Sequence, residues 1–281
     1  MMKIKNGSRV YQISKQVGGS GNYRLYLCMQ AEANRQCLLQ IVTAAEFNGE
    51  LQLSAYILKE LQRRADELEK EYEAVKKDPK VLLNYQLEFP EMVDSFVCQE
   101  QGGRQINILA FRNVEDVSKM VPLVNITEKE RLRVDLRTSA WIMGKLLKLL
   151  TFAHSEGISV GLINGNNVLI VPDQHYVLIF DWSAAQINPE AVPIEVRRQD
   201  IAQAAQAVVC VLGGDPQTGI IPNDDDKTFD QYIDYLLRLA HGSESNAKKA
   251  HTTFYKLIDS LWKREFYPFT TKPLGKNEEE E

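Results

Sequence analysis

The sequence lacks long apolar stretches and closely spaced cysteines. It contains no run of 18 consecutive apolar residues, so no membrane span is expected. The first residues, MMKIKNGSRVYQ, contain no hydrophobic signal core, and a cytoplasmic location is therefore expected. The cysteines lie far apart without any C-x-x-C pair, which favours buried reduced thiols; they are Cys28, Cys37, Cys98 and Cys210.

An excess of charge is also missing from most of the chain. The net charge is −5, and four of these negative charges belong to the terminal run Glu278–Glu281. The body is close to neutral, which argues against nucleic acid as a partner. With 281 residues and 44% hydrophobic content, the chain can bury one large core or two lobes around a cleft.

The most informative stretch runs from Phe152 to Ala185 and predicts a helix end, a tight loop and a hairpin. Gly157 is placed to cap the helix, because glycine readily adopts a left-handed conformation. Asn164–Asn167 has the composition of a turn. Val168–Val171 and Tyr176–Phe180 are the two apolar runs of the hairpin.

Two oxygen-bearing side chains mark the two ends of this hairpin. Asn167 precedes its first strand, and Asp181 follows its second strand. An amide oxygen and a carboxylate are hard ligands of the kind that suits Mg²⁺ carried by phosphates. The sequence therefore predicts a metal site formed by Asn167 and Asp181.

The same stretch resembles the catalytic and metal-binding loops of the protein kinase superfamily. Kinases carry H-R-D-L-x-x-x-N, then two strands and D-F-G. The frame here runs from Val160 to Asn167 and continues with Asp181-Trp182-Ser183. Asn167 and Asp181 match the metal ligands, but Leu162 stands at the catalytic aspartate and Val160 at the histidine. The resemblance implies an α+β, bilobal kinase-like fold without catalytic residues.

A glycine-rich turn precedes the strand Tyr23–Gln30. Such a turn brings backbone amides close to phosphate, and kinases have a glycine loop at this place. The resemblance assigns Gly19 and Gly21 to nucleotide binding, while a second register begins at Gly18. Tyr23 or Arg24 replaces the third glycine, and a plain hairpin turn is the alternative.

The run Cys37–Val42 resembles the kinase strand V-A-I-K, with Gln40 at the position of the lysine. A glutamine amide can donate a hydrogen bond to a nucleotide, but it brings no positive charge. Gln40 is therefore a candidate nucleotide-binding residue. The alternative is a polar side chain that faces the cleft and is satisfied there.

A long helix is predicted from Leu51 to Lys77, before Asp78-Pro79 stops it. The resemblance places Ser54 near the glutamate that pairs with the kinase lysine, with Glu50 and Glu60 as alternatives. Apolar residues recur at alternating spacings of three and four, except that Ser54 occupies one position of the pattern; they are Leu51, Leu58, Leu61, Ala65, Leu68, Tyr72 and Val75. We expect this row of apolar side chains, the seam of the helix, to bind another protein; the alternative is that it packs against its own lobe.

Six runs of the first lobe are predicted as strands, and the expected fold of this lobe is a five-stranded antiparallel sheet. These strands are Val10–Ile13, Tyr23–Gln30, Cys37–Val42, Val81–Phe89, Met92–Gln99 and Gln105–Phe111. We expect a β-rich lobe over residues 1–111, a helical lobe over 112–267, and an extended arm with an acidic tail over 268–281.

Helices dominate the second lobe. Thr127 and Glu130 form a capping box that opens a helix ending near His154, which we interpret as a capping or core residue. The next helix begins near Asp200, which matches the kinase aspartate that anchors the catalytic loop. Two more helices are predicted at Phe229–Leu239 and Asn246–Phe266, the first preceded by the exposed acidic run Asp224-Asp225-Asp226.

The sequence thus predicts a pseudokinase that serves as a binding or regulatory scaffold, with weak or absent Mg-ATP binding. One alternative is an active atypical phosphotransferase in which Arg24 or Lys15 supplies the missing charge. A second alternative is a purely structural interaction domain with an empty cleft. The expected partner is another protein bound through helix 51–77, with neither nucleic acid nor membrane involved.

Overall fold

The computed structural model describes residues 2–76, 82–114, 116–222, 226–263 and 265–274. The predicted helix stop at Asp78-Pro79, the acidic tail and Asp224-Asp225 lie outside these ranges. The chain divides into two compact units. The first comprises the residues up to Met120 together with Asp181–Ala185, and the second comprises Val121–Phe180 with the residues from Gln186 onward. No helix among the described residues has the length and apolar character needed to cross a membrane.

The first unit is built on one antiparallel sheet of six strands in the order β1-β2-β3-β4-β6-β5. The strands are β1 Met2–Asn6, β2 Arg9–Gly19, β3 Tyr23–Gln30, β4 Arg35–Val42, β5 Glu91–Cys98 and β6 Arg104–Ala110. A compact apolar cluster lies on one face of the sheet, with Tyr11, Leu39, Ile106 and Ile108 at its centre. This burial of alternate side chains explains why the strands were recognisable in the sequence.

Two of the sheet predictions were wrong. The sheet has six strands and not five, because the polar segment Met2–Asn6 pairs with β2. The predicted strand Val81–Phe89 does not form in its described part. Asn84 adopts a left-handed conformation (φ 54°), and a 3₁₀ turn follows at Tyr85–Leu87. A residue with positive φ interrupts the extended backbone that a strand requires.

Helix α1, Asn48–Val75, packs against this sheet. The first part of its apolar seam is buried, up to Ala65. Leu68 and Tyr72 are half-buried, and Val75 is 74% exposed. The carboxylate of Glu69 accepts hydrogen bonds from the backbone N–H groups of Leu83 and Asn84, at 3.1 and 2.9 Å. The later turns of the helix therefore hold part of the connection to β5.

Three of the four cysteines are buried, as predicted, and no disulfide forms; these three are Cys28, Cys37 and Cys98. Burial raises the pKa of Cys28 to about 12 and that of Cys37 to about 11. Both thiols therefore stay protonated at neutral pH. The prediction was wrong for Cys210, which is exposed on the second unit.

The second unit is mainly helical. Its helices are α2 Leu123–Glu128, α3 Leu136–Ser155, α4 Ile194–Val211, α5 Phe229–Ala240 and α6 Ala247–Leu261. Its short strands are β7 Val121–Pro122, β8 Leu132–Val134, β9 Ile158–Ser159, β10 Val168–Val171, β11 Tyr176–Ile179, β12 Gln186–Ile187 and β13 Thr271–Pro273. The pair β10–β11 confirms the predicted hairpin.

The predicted start of helix α3 at Thr127 was wrong. Arg131 has φ 56°, which breaks the helical path, and the main helix begins only after Asp135. The carboxylate of Asp135 accepts a hydrogen bond from the Thr138 N–H at 2.8 Å, so Asp135 is the N-cap. The capping pattern at Thr127 and Glu130 therefore did not mark the start of this helix.

The end of the chain differs from the prediction in two respects. Helix α6 ends at Leu261, because Trp262 turns to an extended conformation and packs its ring against Tyr232. The expected arm contains β13, which pairs with β8 inside the second unit. Residues 271–273 are therefore part of the fold.

Candidate functional site

The segment Val160–Asn167 of the second unit resembles the kinase catalytic loop in sequence, and we call it the catalytic-loop segment. Asp200, a fully buried residue of α4, holds its backbone in place. Its two carboxylate oxygens accept the backbone N–H groups of Val160 and Gly161, at 2.9 and 3.0 Å. The ring nitrogen Nε2 of His154 lies 2.9 Å from Oδ2 of the same carboxylate. Asp200 thus binds the loop backbone at Val160 and Gly161 as well as the ring of His154 at the end of α3. The sequence predicted that Asp200 would anchor this loop.

Two further side chains complete the frame of this loop. Gln203, one turn beyond Asp200 on α4, accepts the backbone N–H of Ile163 at 2.9 Å. The amide Nδ2 of Asn167 donates to the backbone carbonyl of Leu162 at 2.7 Å. Gln203 was not singled out in the sequence, although its place one turn after the anchoring aspartate was a usable signal.

Leu162 occupies the position of the catalytic base within this frame. Its side chain is 42% exposed. A leucine side chain has no lone pair, so it can neither accept a proton from a hydroxyl group nor orient that group. Hydrogen bonds hold the backbone geometry around this position, and the side chain at it is apolar.

The turn after Leu162 sets the position of Asn167. The side-chain oxygen of Asn164 accepts the backbone N–H groups of Asn166 and Asn167, at 3.0 and 3.1 Å. The backbone carbonyl of Asn167 then accepts the N–H of Phe180 at 3.0 Å. Asn167 is buried at the base of the hairpin, and the sequence predicted this placement correctly in terms of secondary structure.

Asp181 belongs to the first unit, and donors of that unit bind both of its oxygens. The hydroxyl group of Tyr23 donates to Oδ2 at 2.9 Å. The backbone N–H of Ser183 donates to Oδ1 at 2.9 Å. Burial raises the pKa of Tyr23 well above its usual value, and the negative charge of Asp181 raises it further. Tyr23 therefore remains a neutral donor.

The neighbours of Asp181 hold this segment in place. Trp182 is fully buried, and its ring meets Phe89 edge to face with centroids 6.4 Å apart. Such edge-to-face contacts between aromatic rings are favourable beyond the area they bury. The Asp181 segment is therefore packed into the first unit through its tryptophan.

Gln40, at the lysine position, is 1% exposed. Its Nε2 atom has no partner at normal hydrogen-bond geometry among the described residues, although its amide lies close enough to the Tyr23 hydroxyl to act against the upward shift of that pKa. In the sheet register Gln40 lies opposite Leu25 and Asn107, so Tyr23 is its diagonal neighbour on the same face. A neutral amide and a phenol thus stand where a kinase has a cationic side chain.

The glycine-rich turn is closed by its own hydrogen bonds. The N–H of Ser20 donates to the carbonyl of Tyr23 at 2.9 Å, and the N–H of Asn22 donates to the hydroxyl of Ser20 at 3.2 Å. The hydroxyl of Thr43 donates to the carbonyl of Gly21 at 2.9 Å. Gly19 has φ 145°, and a Cβ there would lie 2.5 Å from the Tyr23 carbonyl. These contacts describe a tight hairpin turn.

On α1, the resemblance places Ser54 near the kinase glutamate that pairs with the lysine. Ser54 is buried and carries no charge. Glu50 accepts hydrogen bonds from the Asn22 amide at 3.0 Å on both oxygens, which joins α1 to the glycine-rich turn. Glu60 pairs with Arg63 on the surface of the helix. Arg24, proposed as a substitute charge, donates to the backbone carbonyl of Ser20 at 2.7 Å.

These contacts describe the surroundings of Asp181, one of the two predicted magnesium ligands. The described residues contain no cluster of three or more His, Cys, Asp or Glu side chains suited to a metal ion. Both oxygens of Asp181 already accept hydrogen bonds from Tyr23 and Ser183. A carboxylate offers about four acceptor sites, and Tyr23 and Ser183 take one on each oxygen of Asp181, so a phosphate-bound ion would compete with the Tyr23 hydroxyl for Oδ2. Tyr23 was visible in the sequence only as a replacement for a glycine.

Solved structures of kinase domains are similar to this chain. Vaccinia related kinase 3 matches with a TM-score of 0.59 and 13% identity, over 92% of this chain and 90% of that chain. The BubR1 kinase domain matches with a TM-score of 0.55 and 12% identity, over 92% and 88%. A double mutant of the Mycobacterium tuberculosis PknI kinase domain matches with a TM-score of 0.54 and 12% identity, over 88% and 96%.

Sequence comparison gives no corresponding match. No family model and no curated protein sequence matches this chain. The structural likeness covers nearly the whole chain, and its low identity makes it a statement about fold alone. The chain has the two-lobed α+β fold of protein kinases, as the sequence predicted.

Proposed function

We propose that this kinase-like domain is a pseudokinase, a binding or regulatory module that transfers phosphate very slowly or not at all. The observation that carries this proposal is Leu162. It occupies the position of the general base in a loop whose backbone Asp200 and Gln203 hold in place. Loss of a general base typically costs about 10²–10⁴-fold in rate.

The surroundings of the nucleotide-binding candidates support the same proposal. Gln40 offers no positive charge to phosphates, and phosphoryl transfer depends mainly on positioning and electrostatic stabilisation. The turn containing Gly19 and Gly21 is closed by hydrogen bonds within the chain. We propose that Mg-ATP binding is weak or absent in this protein, with Asn167 and Asp181 as the only ligands that the kinase pattern retains.

A transfer assay with radiolabelled ATP tests the proposal directly. The purified protein, offered itself and a generic protein acceptor, is expected to give no turnover near the ~1–100 s⁻¹ typical of kinases. Turnover in that range would refute the proposal. If such activity disappeared in Arg24→Ala but persisted in Lys15→Ala, it would identify an atypical phosphotransferase that uses Arg24.

We also propose that the module binds its partner protein through α1. The side chains of this seam become more exposed along the helix, from the buried Ala65 through the half-buried Leu68 and Tyr72 to the exposed Val75. Charged residues of both signs flank it, and Arg63 pairs with Glu60 and Glu67. An apolar strip with such flanks is typical of a surface that receives another helix.

The double substitution Leu68→Glu with Tyr72→Glu tests the α1 surface. We expect the double variant to lose the stable assembly that the wild type forms with its partner protein, as measured by light scattering after co-expression. The melting temperature of the isolated protein should fall by only a few degrees. The matched control is Glu71→Gln with Glu73→Gln, on the exposed face of the same turns. Unfolding of the double glutamate variant, with no assembly in the wild type, would make the seam ordinary core.

A further inference from the structure

Tyr23 combines three properties that no other described tyrosine shares with it. It lies at the start of β3, directly after the glycine-rich turn, at a position where the kinase pattern has a glycine. Its side chain is nine-tenths buried. Its hydroxyl donates to the one carboxylate of the first unit that matches a kinase metal ligand, Asp181, at 2.9 Å.

The local sheet geometry explains why the hydroxyl reaches that carboxylate. Gly19 permits the turn to approach the Tyr23 backbone, because any Cβ there would clash with the Tyr23 carbonyl. The N–H of Ser20 then donates to this carbonyl and fixes the first residue of β3. On the other side, Trp182 is packed on Phe89, which fixes the residue next to Asp181. Both hydrogen-bonding groups are therefore held by their neighbours.

We propose that the Tyr23 hydroxyl is a built-in competitor at Oδ2 of Asp181, which weakens the coordination of a phosphate-bound divalent cation there. The inference rests on the proposed function and explains why nucleotide binding is weak. A cation that takes the position of the hydroxyl on Oδ2 would displace a hydrogen bond to a charged acceptor, which is stronger than a bond between neutral groups. The buried amide of Gln40 beside Tyr23 carries no charge that could attract phosphate in compensation.

The size of the effect follows from the strength of that bond. A hydrogen bond to a charged group corresponds to a binding penalty of about tenfold or more when a ligand must break it. Removing the hydroxyl should therefore tighten the binding of Mg-ATP by at least about tenfold. The gain should require magnesium, because the freed group is a carboxylate and not a phosphate-binding donor.

The experiment compares Tyr23→Phe with the wild type by thermal-shift titration and calorimetry, using Mg-ATP and ATP with excess EDTA. The matched control is Tyr26→Phe, which removes a hydroxyl from the same strand that forms no hydrogen bond among the described residues. We expect at least tenfold tighter binding in Tyr23→Phe with magnesium only, loss of the gain when Asp181→Asn is added, and wild-type behaviour in Tyr26→Phe. Equal titrations of Tyr23→Phe and wild type, including the case in which neither responds, would overturn the inference.

A second measurement protects the test if Tyr23→Phe does not fold. 3-Fluorotyrosine placed at position 23 alone reports on the hydroxyl in an otherwise unchanged protein. Its ¹⁹F resonance should shift at Mg-ATP concentrations at which calorimetry detects binding. A constant resonance under those conditions contradicts the inference. Phosphate transfer by the wild type would refute the proposed function separately, since these readouts measure binding alone.

Discussion

The catalytic-loop segment of the second unit and the Asp181 segment of the first unit depart from the kinase pattern in opposite ways. In the loop, Asp200 and Gln203 hold the backbone, and the apolar Leu162 stands where the kinase motif has an aspartate. At Asp181 the acidic residue of the motif is present, while Tyr23 binds it and Gln40 stands where the motif has a lysine.

The difference teaches which parts of a catalytic site the fold itself requires. Asp200 is fully buried and satisfies backbone donors, so its loss leaves polar groups unpaired inside the protein. Leu162 replaces a charge at a partly exposed position, where almost any side chain is tolerated thermodynamically. The carboxylate of Asp181 accepts hydrogen bonds from the Tyr23 hydroxyl and the Ser183 N–H, which stabilise its negative charge.

The largest effect is expected for Asp200→Ala, which removes the frame of the loop. The substitution leaves the N–H groups of Val160 and Gly161 and the ring of His154 without their acceptor. We expect the free energy of unfolding, measured by urea denaturation, to fall by roughly 3–5 kcal/mol. The control is Asp173→Ala in an exposed turn, with an expected change within about 0.5 kcal/mol. A loss below about 1 kcal/mol for Asp200→Ala would show that the frame does not depend on this carboxylate.

A smaller effect of opposite sign is expected for Gln40→Met. Its Nε2 is buried without a hydrogen-bond partner among the described residues, and an unpaired buried amide costs about 1–3 kcal/mol. The apolar methionine of similar length should therefore raise the free energy of unfolding by about 1 kcal/mol.

The matched control for Gln40→Met is Asn107→Leu, which removes the amide opposite Gln40 in the sheet register. Asn107 donates to the Leu51 carbonyl at 2.8 Å and accepts from Ser95 at 2.9 Å. Its replacement should therefore destabilise the protein by roughly 2 kcal/mol. A clear loss of stability in Gln40→Met would mean that the amide of Gln40 has a partner that holds the sheet together.

The smallest effect is expected for Leu162→Asp, which restores an acidic group to the loop. Because the position is 42% exposed, we expect urea denaturation to give a change within about 0.5 kcal/mol. The control is Leu162→Asn, which has nearly the same size without the charge. A destabilisation of more than about 2 kcal/mol for Leu162→Asp alone would show that the loop cannot accommodate a negative charge at this position.

The sequence predicted the parts of the site that depend on local patterns. The hairpin 168–180 was recognisable because two apolar runs flank a turn, and Asp200 because an apolar run follows it. The predicted helix start near Asp200 was wrong, since α4 already begins at Ile194 and Asp200 lies inside it. The Tyr23–Asp181 contact was not predictable, because the two residues are 158 positions apart and neither stands in a periodic pattern. The break at Arg131 was missed for a related reason, since nothing in an arginine indicates a positive φ.

The discontinuity of the first unit has a consequence for how this protein is made. Residues up to Met120 leave the ribosome well before Asp181–Ala185, and synthesis proceeds at about 5–20 residues per second. For several seconds the nascent sheet and α1 exist without the segment that carries Trp182 and the acceptor for Tyr23. During that interval Phe89 lacks its contact with Trp182 and the Tyr23 hydroxyl lacks its acceptor on Asp181, so the first unit cannot complete its packing until residues 181–185 have been synthesised.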